Sequence, residues 1–146
     1  MSDTQITNQE ELIKILRESN KKITPQRLAI CEFILDNKKH FSAEEIFDNI
    51  RKRYPSISRA TIYKTLSLLK ELDIVKELCF SGEPAKYDTN TDLHANIICA
   101  NCHKIRNYES QLIENFWEDL TKEIGKEPVN HRIDFFIICE DCKEKT

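Results

Sequence analysis

A chain of 146 residues that is 40% hydrophobic and 32% charged has room for one or two small domains with a modest core. Its longest apolar runs, such as Phe135–Cys139, are a few residues long, which excludes a membrane-spanning helix and a membrane partner. The net charge of −3 is uneven: residues 1–84 carry 14 basic against 13 acidic side chains, and residues 85–146 carry 8 against 12, so only the first part suits a polyanion. The N-terminal Met-Ser-Asp-Thr-Gln lacks a signal-peptide layout. The expected compartment is therefore the cytoplasm, where cysteines serve as metal ligands or redox groups more often than as disulfides.

In chain order, Leu12, Ile15 and Leu16 mark a short amphipathic helix. Thr24-Pro25 opens a second helix with Leu28, Cys31 and Leu35 on one stripe. Ser42-Ala-Glu-Glu45 has the form of a capping box, followed by Ala43, Ile46, Phe47 and Ile50 at helical spacing. Pro55 ends that helix, and Ser58 caps another in which Ile62, Leu66 and Leu69 face inward while Arg59, Tyr63 and Lys70 face out. Two capped helices around a short break have the layout of a helix-turn-helix, and Ile74–Phe80 with Ala85–Tyr87 predict a hairpin wing. From pattern alone this half fits a DNA-binding domain or a helical interaction domain with a solvated charged face. Beyond it, Leu93–Cys99, Lys104–Tyr108 and His131–Ile138 are strand-like. A helix striped by Leu112, Phe116, Leu120 and Ile124 lies between the last two. This β-β-α-β unit is too small to stand alone, and pairing with its own copy is the simplest solution.

Cys99-x-x-Cys102 and Cys139-x-x-Cys142 enclose 36 residues, and each tight turn can put two thiolates on one ion. Two such turns supply the four-sulfur shell that zinc favours. The alternatives are buried free cysteines or a redox pair, although a thioredoxin-like pair sits at a helix N-terminus after a strand. Cys31 lies on a helical core stripe and reads as packing. In the strand Leu93–Cys99, His94 and Asn96 share a face. With His40 and Asp88 they form a second, polar constellation if the two halves fold together.

Ile23-Thr-Pro-Gln-Arg27, His40-x-Ser-Ala-Glu-Glu-Ile46, Ser58-Arg-Ala-Thr-Ile-Tyr-Lys-Thr-Leu66, Lys86-Tyr-Asp88, His94-x-Asn96-x-Ile-Cys99-x-x-Cys102 and Cys139-x-x-Cys142 occur in that order over residues 10–142. Together they resemble the ferric uptake regulator family, nearest its peroxide-sensing branch. The resemblance implies an α+β fold: a winged helix-turn-helix domain over 1–84, a hinge at 85–92, and a small α/β dimerisation domain over 93–146 with a four-cysteine zinc site. It implies a metal-dependent repressor of peroxide-stress or metal-homeostasis genes, not an enzyme, that binds an inverted-repeat DNA operator as a homodimer and takes no small organic substrate. The helix Ser58–Leu72 becomes the major-groove reader, with Arg59, Thr61, Tyr63 and Lys64 as contacts, and Lys22 reaches the minor groove.

The resemblance also implies one structural Zn2+ per chain and a regulatory Fe2+ or Mn2+ held by His40, Asp88, His94, Asn96 and Asn107. Two of these depart from the family pattern. Asn96 stands where a histidine is expected, and Asn107 where an acidic residue is expected, so a nitrogen ligand and a negative charge are replaced by neutral amide oxygens. His103 and Glu109 are nearby groups that can compensate. In the family's peroxide-sensing branch, bound Fe2+ reacts with peroxide and oxidises a ligand histidine, for which His40 and His94 are the candidates. Two rival readings follow: a family member with a degraded sensor that responds weakly to iron and peroxide, and a thiol oxidoreductase using a Cys-x-x-Cys pair.

Overall fold

The computed structural model describes residues 8–37 and 40–145. It divides into two compact units, Met1–Asp92 and Leu93–Thr146.

The first unit is built by capped helices. Helix α1 (Gln9–Glu18) starts where the Asn8 side chain accepts from the Glu11 backbone N–H at 2.8 Å, and it buries Leu12 and Leu16. Helix α2 (Pro25–Asp36) is capped by Thr24, with proline at its first turn. Its buried residues are Ala29, Ile30, Cys31 and Ile34, so the expected stripe holds at Cys31 while Leu28 and Leu35 are half-buried. The reason is that α2 packs against α1 and two further helices, which covers more of its circumference than one stripe. Strand β1 (Phe41–Ser42) leads into α3 (Ala43–Ile50) through the expected capping box: Ser42 Oγ accepts from Glu45 N–H at 3.2 Å, and Ser42 N–H donates back to Glu45 Oε2 at 2.7 Å. After a turn, Ser58 caps α4 (Arg59–Glu71), which buries Ile62, Leu66 and Leu69 as expected.

Strands β2 (Lys76–Phe80) and β3 (Glu83–Asp88) form an antiparallel hairpin, turning at Gly82 with φ +79°. β1 pairs on the other side of β3, giving the order β1-β3-β2. This is a winged helix-turn-helix. Ile74 and Val75, expected in the first wing strand, instead plug the core, with both N–H groups donating to the Leu69 carbonyl. β3 contains Ala85–Tyr87, expected as the second wing strand, and runs on to Asp88 because it is held by partners on both sides.

The second unit is a three-stranded sheet of order β5-β4-β6. β4 (Ala95–Cys99) pairs antiparallel with β5 (Ile105–Tyr108) and parallel with β6 (Ile133–Ile137). Helix α5 (Gln111–Ile124) supplies the crossover, capped by Ser110 and stopped by Gly125 in the left-handed region. A short α6 (Glu140–Lys143), absent from the sequence expectation, follows β6. No residue of α5 is buried: Leu112 is 77% and Phe116 59% exposed, and Phe136 on β6 is 62% exposed. The apolar stripe exists, and among the described residues Leu112, Phe116 and Ile124 of it are exposed.

Candidate metal centre and nucleic-acid interface

The parallel pairing of β4 with β6 brings the two cysteine pairs to one end of the second sheet. Cys99 ends β4, and its turn is closed by hydrogen bonds from His103 N–H to the Cys99 carbonyl (2.9 Å) and from Cys99 N–H to the Lys104 carbonyl (3.0 Å). The turn requires φ +59° at His103, whose exposed side chain stands in this knuckle. Cys139 begins α6, and Cys142 N–H donates to its carbonyl at 3.0 Å.

All four sulfurs lie within 4.8 Å of one another, with Cys99–Cys142 at 3.9 Å and Cys102–Cys139 at 3.7 Å. A tetrahedral ion with metal–sulfur bonds of about 2.3 Å sets its sulfurs about 3.8 Å apart, whereas a disulfide needs about 2.05 Å. The cluster has the size of a zinc shell and not of a disulfide. Backbone N–H groups of Cys102 and Cys139 pull the Cys99 thiol down to about 6. The Cys142 thiol, hydrogen-bonded to Cys139, is raised to about 12. Four sulfurs at this spacing are a donor set that a divalent cation completes by displacing their protons.

The polar constellation is assembled within each unit by strand register. Pairing of Phe41 with Tyr87 sets the preceding His40 opposite Asp88, and His40 Nε2 lies 3.2 Å from Asp88 Oδ2, both side chains buried. Lys76 faces Asp88 from β2, and its pKa is lowered mainly by burial, against the pull of Asp88. In the second unit, His94 is buried just before β4. Asn96 pairs with Asn107 on β5 and with Asp134 on β6. Asn96 Nδ2 donates to Asp134 Oδ1 at 2.9 Å, while the Oδ1 atoms of both Asn96 and Asn107 are buried without a hydrogen-bond partner. Each orphaned acceptor costs about 1–3 kcal/mol unless something electropositive meets it. The buried Asn96 and Asn107 oxygens therefore fit a divalent cation that takes oxygen ligands. Asp134 was not singled out in the sequence, and Glu109 lies exposed just past β5.

On the first unit, α4 presents Tyr63 (50% exposed) and Lys64 to solvent. The Thr61 hydroxyl is tied to Ser58 Oγ at 3.0 Å, so it serves the cap. The Arg59 guanidinium forks onto Glu44 at 2.7 and 3.1 Å and stacks 4.3 Å over Phe47, which the sequence reading did not anticipate. Lys22 is exposed ahead of α2, and its carbonyl accepts from Arg27 Nη1. Arg51, Lys52 and Arg53 add an exposed basic run in the turn after α3.

The ferric uptake regulator family model matches residues 18–136. The chain belongs to the ferric uptake regulator family. Peroxide-responsive repressors of Staphylococcus epidermidis and Staphylococcus aureus are similar to it, at 36% identity (93% of this chain, 91% of that one) and 33% (93% and 92%). Among solved structures, the Helicobacter pylori ferric uptake regulator, described as having three functional metal-binding sites, superposes with a TM-score of 0.80 at 25% identity, covering 97% of this chain and 95% of that one. The Campylobacter jejuni peroxide stress regulator superposes at 0.72 and 27% identity, covering 91% and 97%. Membership in a family of transcription regulators removes the oxidoreductase reading, and the convergence of all four sulfurs agrees with that.

Proposed function

We propose that this protein is a metal-dependent, DNA-binding transcriptional repressor that acts as a homodimer, with one structural zinc per chain on Cys99, Cys102, Cys139 and Cys142. The observation that carries this reading is the four-sulfur cluster in a unit that follows a winged helix in a chain of this family. Tyr63 and Lys64 on α4 read the major groove, Arg59 and Thr61 flank them, and Lys22 reaches the minor groove. The exposed faces of α5 and β6 are covered by a second copy. His40 and Asp88, with His94, Asn96 and Asn107, are the ligands of a regulatory divalent ion, Mn2+ or Fe2+. When bound, that ion supplies the charge that favours the operator-binding conformation. The family's peroxide-responsive relatives support a peroxide-linked signal.

A second reading is favoured by the amides. With Asn96 and Asn107 neutral, the site is a weaker host for Fe2+ than imidazole and carboxylate provide, and the response to peroxide is correspondingly blunted. One experiment separates the two: operator binding measured with Mn2+, with Fe2+, and with Fe2+ followed by peroxide. Peroxide release of the Fe2+ complex supports the first reading, and an Fe2+ complex that forms weakly or that peroxide leaves intact supports the second. Binding indifferent to every divalent ion refutes metal dependence altogether. For the DNA face, Tyr63→Ala should relax base preference, while Lys22→Ala should weaken all sequences and lower the salt slope by about one.

A further inference from the structure

The residues Asn107, Asn96 and Asp134 form a row across all three strands of the second sheet, on one face, because each is the direct register partner of its neighbour. An asparagine amide has two ends of nearly equal shape and opposite chemistry, and its neighbours decide which end points where. Asp134 is held by Arg132, whose Nε lies 2.8 Å from Asp134 Oδ2, which leaves Asp134 Oδ1 to accept from the neighbouring strand. It therefore takes the NH2 end of Asn96, at 2.9 Å. The oxygen end of Asn96 is turned away from β6, and in this 3% exposed side chain it meets no donor. Across β4, the Asn107 oxygen is likewise buried with no donor. Two acceptors oriented in one row with nothing to accept from form a receptor for positive charge.

We propose that Asp134 is a positioning residue of the regulatory metal site: it locks the Asn96 amide with its oxygen toward a hard divalent cation, and Asn107 supplies a second oxygen. The inference rests on the reading that Asn96 and Asn107 contribute metal ligands. It explains how a neutral amide serves in place of an imidazole. An unconstrained amide samples both orientations and must be ordered when the cation binds, whereas an amide fixed by a carboxylate already has its oxygen turned outward. Groups that orient ligands in this way are typically worth about 10–100-fold in metal affinity.

The test uses the full-length, zinc-loaded protein titrated with Mn2+, with free Mn2+ followed by electron paramagnetic resonance. Asp134→Asn can offer either amide end to Asn96, so Mn2+ affinity should fall about 10–100-fold while the zinc content stays at one per chain. The swapped pair Asn96→Asp with Asp134→Asn restores a donor-to-acceptor contact and leaves a carboxylate oxygen facing the ion, so its affinity should return to the wild-type value or exceed it. Unchanged affinity in Asp134→Asn, or a swap no tighter than Asp134→Asn, overturns the inference while leaving the regulatory-metal reading intact. A wild-type protein with no saturable Mn2+ site overturns both. If Asp134→Asn fails to retain zinc, the swapped pair decides, since it preserves the charge of the row: wild-type affinity supports the inference and weaker binding overturns it.

Discussion

The two units solve the problem of small size by different means. The first encloses its own core: Leu12, Leu16, Ile30, Ile46, Ile62, Leu66 and Leu69 are each 1% exposed or less. The second buries Ala95, Ile98 and Cys99 among its apolar residues and leaves Leu112, Phe116, Phe135 and Phe136 more than half exposed. Burial of apolar surface stabilises the first unit, whereas the second buries little of its own, and under the proposed function a zinc shell and a second copy complete it. The lesson is that the part carrying the cysteines cannot be understood as a free-standing domain.

The sharpest way to break the comparison is to remove the metal. Structural zinc in small domains is worth about 10–16 kcal/mol in apparent terms. Chelation, or Cys142→Ser, should therefore unfold the second unit and leave the first folded. Limited proteolysis followed by mass spectrometry checks this, and a second unit that stays protected without metal would erase the distinction. A smaller effect, on the opposite side, comes from Leu66→Ala in the core. A cost of about 2–5 kcal/mol is expected in the denaturant-monitored stability of the first unit, with zinc content unchanged.

The smallest effect concerns the junction of β1 and α3. Ser42→Ala should cost about 0.5–2 kcal/mol by removing the cap acceptor. Burial alone would raise the Glu45 carboxyl, but hydrogen bonds from Lys86 and Ser42 outweigh it and hold it below its ordinary 4.5. Its contribution is therefore complete above pH 4.5 and is lost as pH falls through the lowered value. Thermal melts of the first unit from pH 6 to 3 should show this loss in the wild type and a shallower one in Glu45→Gln. Equal slopes would refute it.

Much of the fold was readable from local chemistry. Thr24-Pro25, the Ser42 capping box and the Ser58 cap each act within one turn of helix, and each helix begins where they indicate. The cysteine site was equally accessible, because a two-residue spacer fixes both sulfurs of a pair whatever the surroundings. What escaped depends on register between distant segments. The two-residue strand that sets His40 opposite Asp88 is too short for any periodicity to reveal. The alternation of β6 marks Asp134 as polar among Ile133, Phe135 and Phe136, yet nothing local indicates that β6 lies parallel to β4 with Asp134 beside Asn96. The Glu44–Arg59 pair spans two helices for the same reason.

The parallel placement of β6 beside β4 also sets an order of assembly. During synthesis the first unit has all its strands once residue 88 is made, and β4 can pair with β5 once Tyr108 has followed. Half the sulfurs, and the carboxylate that orients Asn96, arrive only with residues 134–142. A nascent chain thus has every strand of its winged-helix unit well before it has all four sulfurs, so the first unit can fold before the cysteine cluster can close.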